Sequence, residues 1–128
     1  MPVLGRILLY VRDIDTVAEF YARHFGFRVH REEGDRVVEL ESFTDAGANI
    51  MLHPLGRGRR GGQTVAKLIF DVPDVEAFCT QAAEHGLPFG AVHRADGYVF
   101  ANTKDPAGNA ISISSRAYRY ADFSRTSD

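Results

Sequence analysis

The sequence predicts an α+β fold made of two βαβββ modules, and three observations lead to it. Shifting the chain against itself by 61 positions aligns residues 4–55 with residues 64–116. In each copy an apolar strand leads into an amphipathic helix, and turn residues divide the remainder of the copy into three short extended segments. We therefore expect one domain over residues 1–116, with a linker at 56–63 and a C-terminal tail at 117–128.

Each copy opens with a strand that ends at an aspartate. Asp13 and Asp74 suit the N-cap position, because their carboxylates can accept hydrogen bonds from the free N–H groups of the first helical turn. Apolar residues then recur at helical spacing, at Ile14, Val17, Ala18 and Tyr21 in the first copy and at Val75, Phe78, Cys79 and Ala82 in the second. Two amphipathic helices are predicted.

Both helices are expected to stop at a glycine, Gly26 and Gly86, because glycine enters the left-handed conformation at low cost. Turn residues such as Gly34 and Gly97 then separate the extended segments. The predicted strands are 27–32, 36–41 and 47–53 in the first module, and 88–94, 98–103 and 109–114 in the second.

Composition narrows the classes of partner. Fifteen Lys and Arg against seventeen Asp and Glu give a net charge of −2, which argues against nucleic acid and against anionic membranes. The apolar runs are too short to span a bilayer and no secretory signal is recognisable, so we expect a cytoplasmic protein. The single cysteine, Cys79, cannot form an internal disulfide. The Gly- and Arg-rich residues 56–62 are interpreted as a flexible, solvated hinge rather than an RNA-binding tract.

Specific motifs accompany the repeat. They are Val11-x-Asp13-Ile14-Asp15, Glu19-Phe20-Tyr21, Phe25-Gly26-Phe27-x-Val29 and Lys104-Asp105-Pro106-Ala107-Gly108-Asn109. In this pattern the chain resembles the glyoxalase I, bleomycin-resistance and extradiol-dioxygenase superfamily, also called the vicinal oxygen chelate fold. The resemblance implies two modules that form a curved mixed-sheet cup, helices on the outer faces, a cleft lined by the concave faces, and a homodimer.

Strand alternation then assigns side chains to the cleft. Ile7, Leu9 and Val11 would face the helix, as would Ile50 and Leu52, Leu68 and Phe70, and Ile111 and Ile113. Ser114 and Glu41 would face the opposite side, which is the cleft. The residues predicted to bind a ligand in the cleft are Arg6, Leu8, Tyr10, Glu39, Met51, His53, Lys67, Ile69 and Ser112.

The resemblance also implies four metal-ligand positions, normally His or Glu, on the first and fourth strands of each module. Counting along the strands places them at Arg6, Met51, Lys67 and Ser112. Arg and Lys offer no lone pair, and Met and Ser are poor ligands for a hard divalent ion. We therefore expect no metal and no other cofactor. A pair formed by His53 and Glu39 is the one alternative metal site that the sequence offers.

Three functions are compatible with this pattern. The favoured one is metal-independent binding of a small organic molecule, with anions among the candidates, because Arg6 and Lys67 can hold a carboxylate or phosphate. The same two cations could instead form structural ion pairs with Glu39, with Glu41 or with a neighbouring subunit. The second function is a glyoxalase-like lyase, isomerase or dioxygenase with a non-standard metal site, since a standard glyoxalase I or dioxygenase activity is unexpected here. The third is a non-catalytic dimeric interaction module.

Overall fold

The computed structural model describes residues 1, 3–62 and 65–119, which form two compact units. The first unit takes in the described residues up to 62 together with residues 105–108. The second takes in residues 65–104 and 109–119. Each unit contains one helix and one four-stranded sheet, so the predicted α+β class with a repeated βαβββ order is confirmed.

The first unit begins with strand β1 (Arg6–Val11), followed by helix α1 (Ile14–Phe25). Strands β2 (Arg28–His30), β3 (Val38–Glu41) and β4 (Asn49–Pro54) complete it. The strand order in sheet 1 is β1-β4-β3-β2, with β1 parallel to β4 and the other pairs antiparallel. The parallel pair arises because the α1 crossover carries the chain back to the same end of the sheet.

The second unit repeats this topology with strand β5 (Lys67–Asp71) and helix α2 (Val75–Glu84). Strands β6 (His93–Ala95), β7 (Tyr98–Lys104) and β8 (Ala110–Ser114) follow, and a short 3-10 helix spans Arg116–Tyr118. The order in sheet 2 is β5-β8-β7-β6, with β5 parallel to β8. The predicted strand at 88–94 is shorter and starts later than expected, because only residues 93–95 pair with β7.

The helix ends follow the predicted chemistry. The Asp13 carboxylate accepts hydrogen bonds from the backbone N–H and the hydroxyl of Thr16, and Asp74 accepts one from the N–H of Ala77. Gly26 ends α1 with φ of 70°, and Gly86 follows α2 with φ of 89°. These left-handed values are the reason that glycine stands at both stops.

Each sheet packs its core against its own helix. In the first unit Val17, Ala18 and Tyr21 of α1 are buried together with Val11, Leu40, Ile50 and Leu52 of the sheet. In the second unit the buried residues include Val75, Ala101, Ile111 and Ile113, whereas Leu68 and Phe70 are half-buried. The alternation predicted for β1, β4 and β8 therefore holds for their core-facing side chains.

The Gly- and Arg-rich segment makes defined contacts within the first unit. The N–H of Arg59 donates to the carbonyl of Gly56, and the carbonyl of Arg59 accepts from the Arg12 guanidinium at 2.7 Å. Gly62 lies against the carbonyls of Ala107 and Gly108. The end of the segment, at Gly61 and Gly62, thus lies against the turn at 105–108. Residues 63 and 64, and positions 120–128 of the predicted tail, lie outside the described residues.

Candidate functional site

The residues predicted for the first half of the cleft lie on one face of sheet 1. This face points away from α1. Cross-strand pairing places Leu8 opposite Met51 and Tyr10 opposite His53. Glu39 lies on the other side of Met51, and Arg6 reaches it from the edge strand. We call this surface the helix-free face of sheet 1. It carries Arg6, Leu8, Tyr10, Glu39, Met51 and His53.

Two carboxylates of this face, Glu39 and Glu41, have basic partners. Nε of Arg6 lies 3.4 Å from Oε1 of Glu39, so the charge of Arg6 is countered within the sheet. Glu41 accepts hydrogen bonds from Arg28 and from His30 at the β2 edge. The Arg28 hydrogen bond, and then that of His30, holds the pKa of Glu41 below its ordinary value. Both acids of β3 therefore have basic partners.

His53 and Glu39 do not pair with each other among the described residues. Glu39 is engaged by Arg6, while Nδ1 of His53 lies 2.9 Å from the carbonyl oxygen of Pro54 and its ring contacts the ring of Tyr10 at 5.2 Å. Glu39 lies opposite Met51, whereas His53 is two residues further along β4. The geometry lends no support to the His53–Glu39 metal site.

In sheet 2 we give the name helix-free face to the side that points away from α2. This face carries the remaining predicted residues, Lys67, Ile69 and Ser112. Ile69 lies opposite Ser112 and is 60% exposed. Nζ of Lys67 donates to the amide oxygen of Asn102 at 3.0 Å, and Asn102 in turn lies opposite Ser112. Ser112 itself is buried, and its hydroxyl donates to the carbonyl of Ala101. The hydroxyl is therefore already engaged by the backbone of the neighbouring strand.

Aromatic rings occupy the part of this face formed by β6 and β7. The Phe100 ring lies 5.1 Å from the ring of His93 and 6.3 Å from the ring of Tyr98, with interplanar angles of 31° and 34°. Nζ of Lys67 stands 5.9 Å from the Phe100 centroid. The guanidinium groups of Arg116 and Arg119 lie 5.1 and 5.6 Å from the Tyr98 centroid.

Asp71 is the acid of this face. It lies opposite Ser114 in the pairing of β5 with β8, and burial raises the pKa of its carboxyl above the ordinary value. Asp71 is the one carboxylate in the described strands of sheet 2, whereas Lys67, Arg116 and Arg119 all lie near the rings of this face, so its described part is predominantly basic. A negative group placed near Lys67 is favoured by this balance.

The four positions that the resemblance assigns to metal ligands do not form a ligand set for a hard divalent ion. The guanidinium of Arg6 forms an ion pair with Glu39, and the ammonium of Lys67 donates a hydrogen bond to Asn102. Met51 supplies a soft thioether, and the Ser112 hydroxyl is directed at a backbone carbonyl. Within the part of the chain that the structure describes, no three His, Cys, Asp or Glu side chains are grouped closely enough to hold a metal ion.

A separate surface cavity of about 320 Å³ lies in the first unit beside the start of α1. Its walls include Arg12, Asp13, Val17, Leu55 and Pro106. The polar groups that line it are already committed, because Arg12 donates to Arg59 and Asp13 caps the helix. The helix-free faces of the sheets are therefore the better candidates for a ligand site.

Sequence reasoning did not single out Asn102, Asp71, His93 or Tyr98 as members of the candidate site. Asn102 pairs with Ser112 as Glu39 pairs with Met51, so the two residues are counterparts. Sequence reasoning missed Asn102 because it lies 63 positions after Glu39, whereas the repeat predicts 61. Asp71, in contrast, follows directly from adding 61 to Tyr10. Tyr98 and His93 could have been found by extending strand alternation from Phe100 along β7 and across to β6.

Comparison with known proteins places the chain in a family. The family model described as Glyoxalase/Bleomycin resistance protein/Dioxygenase superfamily matches residues 3–113. No curated protein matches the chain significantly. Among the described residues no helix is long and apolar enough to cross a membrane.

Solved structures share the fold at low sequence identity. TnmS3, an antibiotic binding protein from Streptomyces sp. CB03234, is 20% identical with a TM-score of 0.72, over 88% of this chain and 94% of that one. Lactoylglutathione lyase from Agrobacterium tumefaciens is 20% identical with a TM-score of 0.68, over 89% and 93%. A protein from the mobile metagenome of V. Pseudocholerae is 26% identical with a TM-score of 0.67, over 89% and 94%. On the family match and the repeated βαβββ topology, the chain belongs to the Glyoxalase/Bleomycin resistance protein/Dioxygenase superfamily.

Proposed function

We propose that this protein binds a small organic anion on the helix-free faces of its sheets and does so without a metal ion. Membership of a superfamily that includes bleomycin resistance proteins supports a binding role. The exposed apolar side chains Tyr10 and Ile69, beside charged groups, give these faces the mixture of apolar wall and few polar anchors that small-molecule sites have. The arrangement in which both faces line one cleft stays a prediction.

The observation that carries the proposal is the difference between Arg6 and Lys67. The charge of Arg6 is countered by Glu39, as the structural ion-pair alternative expected. Lys67 instead contacts a neutral amide oxygen, so its positive charge is not neutralised by that partner. An ammonium group beside apolar and aromatic side chains can pair with a carboxylate or a phosphate. Lys67 is therefore the proposed anchor, and Arg6 is assigned a structural part.

The structural relatives support a binding role in general terms. TnmS3 is described as an antibiotic binding protein, and the fold it shares with this chain is the one whose sheets carry the candidate residues. Binding of an antibiotic or another small natural product is accordingly part of the proposal. The proposal also includes a homodimer that is located in the cytoplasm. Sedimentation velocity tests the dimer, and a purely monomeric boundary would contradict it.

Thermal unfolding in the presence of ligands tests the proposal. The panel consists of small carboxylates, phosphoesters and bleomycin, applied to the wild type and to the variants Lys67→Met, Arg6→Met and Arg94→Met. Ligand that binds only the folded state stabilises it by RT ln(1 + [L]/Kd), about 2.7 kcal/mol at a concentration of 100 Kd. Arg94 is exposed and pairs with Val99 on the opposite face of β6, so its variant is the matched control.

We expect at least one anion of the panel to raise the unfolding temperature of the wild type. The increase should be retained by Arg94→Met and largely lost in Lys67→Met, because only the latter removes the anchoring charge. A panel without any stabilising compound contradicts the binding role. A shift that is lost in Arg6→Met and kept in Lys67→Met contradicts the assignment of the anchor.

A further inference from the structure

The rings on the helix-free face of sheet 2 form a continuous row. His93 of β6 lies directly opposite Phe100 of β7, and Tyr98 lies two residues before Phe100 on the same strand. The planes of neighbouring rings are tilted by 31° for His93 and Phe100 and by 34° for Tyr98 and Phe100. We call His93, Phe100 and Tyr98 the ring row. Phe100, at its centre, is the member that has no polar group.

Three cations lie against the ring row. Arg116 is fixed at Tyr98 twice, because its guanidinium lies over the ring at 5.1 Å and donates to the Tyr98 hydroxyl at 3.1 Å. Arg119 approaches the same ring at 5.6 Å. Lys67 reaches Phe100 at 5.9 Å, a distance at the outer limit for attraction between an ammonium and a ring face. The ammonium is held near the ring without covering it closely.

From this geometry we infer that the ligand is a planar aromatic acid. Its ring system packs against Phe100 of the ring row, and its carboxylate or sulfonate pairs with Lys67. The inference rests on the proposed function, because it specifies which class of small organic anion binds there. Stacking of a planar nucleobase on an aromatic side chain strengthens binding about 5- to 150-fold, and a planar aromatic ligand can gain in the same way. A charge-assisted hydrogen bond adds to this gain.

The row suits an aromatic acid better than an aliphatic one for a physical reason. Aromatic rings prefer offset-stacked or edge-to-face contacts with other rings, and an aliphatic chain gains only the burial of its surface. The negative charge is needed because Lys67, Arg116 and Arg119 all stand within 6 Å of a ring centroid, so a cationic aromatic ligand would be repelled. Asp71, the acid on this face, lies in the same cross-strand row as Phe100 with Ser114 between them, at the opposite end of β5 from Lys67.

Isothermal titration calorimetry with three matched probes tests the inference. The probes are 2-naphthoate, its neutral counterpart 2-naphthalenemethanol, and cyclohexanecarboxylate, which keeps the charge and removes the aromatic ring. We expect 2-naphthoate to bind about tenfold more tightly than either of the other two, because only this probe can use both the ring row and Lys67. Equal affinities for 2-naphthoate and cyclohexanecarboxylate would overturn the inference.

Variants then identify the side chains responsible. Phe100→Leu should weaken 2-naphthoate about tenfold and leave cyclohexanecarboxylate nearly unchanged, while Phe100→Tyr, which keeps the ring, should bind like the wild type. Lys67→Met should weaken both acids and spare the alcohol. Circular dichroism and the unfolding temperature verify that each variant is folded, and Phe100→Tyr keeps the experiment decisive should Phe100→Leu unfold. Equal loss in Phe100→Tyr and Phe100→Leu would overturn the role of the ring.

The two proposals fail in distinguishable ways. If an aliphatic carboxylate or a phosphoester of the thermal panel binds through Lys67 and 2-naphthoate gains nothing from its ring, the aromatic inference is wrong and the proposed function stands. If no compound of either set binds, the proposed function itself is wrong.

Discussion

The hydroxyl of Tyr21 donates a 2.7 Å hydrogen bond to Oδ2 of Asp105, although 84 positions separate the two residues along the chain. Tyr21 is fully buried in α1, and Asp105 is 4% exposed. The other carboxylate oxygen of Asp105 accepts the N–H of Ala107 at 2.9 Å. One buried carboxylate thus holds helix α1 and the turn before β8 together inside the first unit.

Removal of the Tyr21 hydroxyl should destabilise the protein. Tyr21→Phe keeps the ring in the core but takes one hydrogen-bond donor from a buried carboxylate, so the free energy of unfolding should fall by about 1–3 kcal/mol. Urea denaturation at pH 7 measures the loss. Tyr10→Phe is the control, because Tyr10 is 55% exposed and its hydroxyl can remain hydrated. Equal stability of Tyr21→Phe and the wild type would contradict the structural importance of this bond.

The same tyrosine predicts a fall in stability at alkaline pH. Burial, and next the charge of Asp105, raises the pKa of Tyr21 above its ordinary value of 10.0. The unfolded chain then loses this proton above about pH 10 while the folded chain keeps it, so its contribution is complete below that pH and declines above it. Between pH 10 and 11 the wild type should lose about 1 kcal/mol more than Tyr21→Phe. Parallel stability curves for the two proteins would be inconsistent with a buried, protonated Tyr21.

The contact between the Gly- and Arg-rich segment and the turn at 105–108 can be tested at Gly62. Gly62 has φ of +70°, and an added Cβ would lie 2.9 Å from the carbonyl oxygen of Ala107. Gly58 has φ of +79° with nothing within 4 Å of its Cβ position. Gly58→Ala therefore measures only the free-energy cost of a side chain at positive φ. That cost is about 1–2 kcal/mol for alanine. Gly62→Ala should lose clearly more unfolding free energy than Gly58→Ala, and equal losses would show that the segment does not approach the turn.

The metal content of the purified protein tests the assignment of Arg6, Met51, Lys67 and Ser112 as non-ligands. Because two of these side chains are cationic and neither of the others is a ligand for a hard divalent ion, we expect well under about 0.1 metal ion per chain. Elemental analysis of protein prepared without chelators provides the measurement. Stoichiometric zinc, nickel, manganese or iron would contradict the assignment and favour the enzymatic alternative.

Much of the fold could be predicted because local signals agree with the tertiary structure. The caps at Asp13 and Asp74, the stops at Gly26 and Gly86, and the 61-residue repeat all act over short distances or as a simple count. The strand pairing follows the same repeat, because Lys67 lies opposite Ala110 in the second module just as Arg6 lies opposite Asn49 in the first. The family motif containing Asp105 was recognised as a turn. The buried hydrogen bond from Tyr21 to Asp105 was not predicted, because it joins segments that are distant in the sequence and no local pattern indicates it.

The candidate site was harder to predict where loop lengths change. Glu39 lies opposite Met51, and its counterpart opposite Ser112 is Asn102, which is two residues beyond the position that the repeat indicates. The constant offset therefore points to Phe100 and misses the partner of Lys67. The pairing of Arg6 with Glu39, and of Lys67 with a neutral amide, depends on that register and separates the roles of two cations that the sequence treats alike.

Chemical-shift mapping tests the central claim most directly. A 15N-labelled sample is titrated with the strongest anion of the panel, and backbone amide signals report where it binds. We predict that the perturbed amides cluster on β5, β7 and β8 around Lys67, and that Lys67→Met abolishes the perturbations. Perturbations confined to the cavity at Arg12 and Leu55, or unchanged in Lys67→Met, would contradict the claim that the helix-free sheet face holds the ligand.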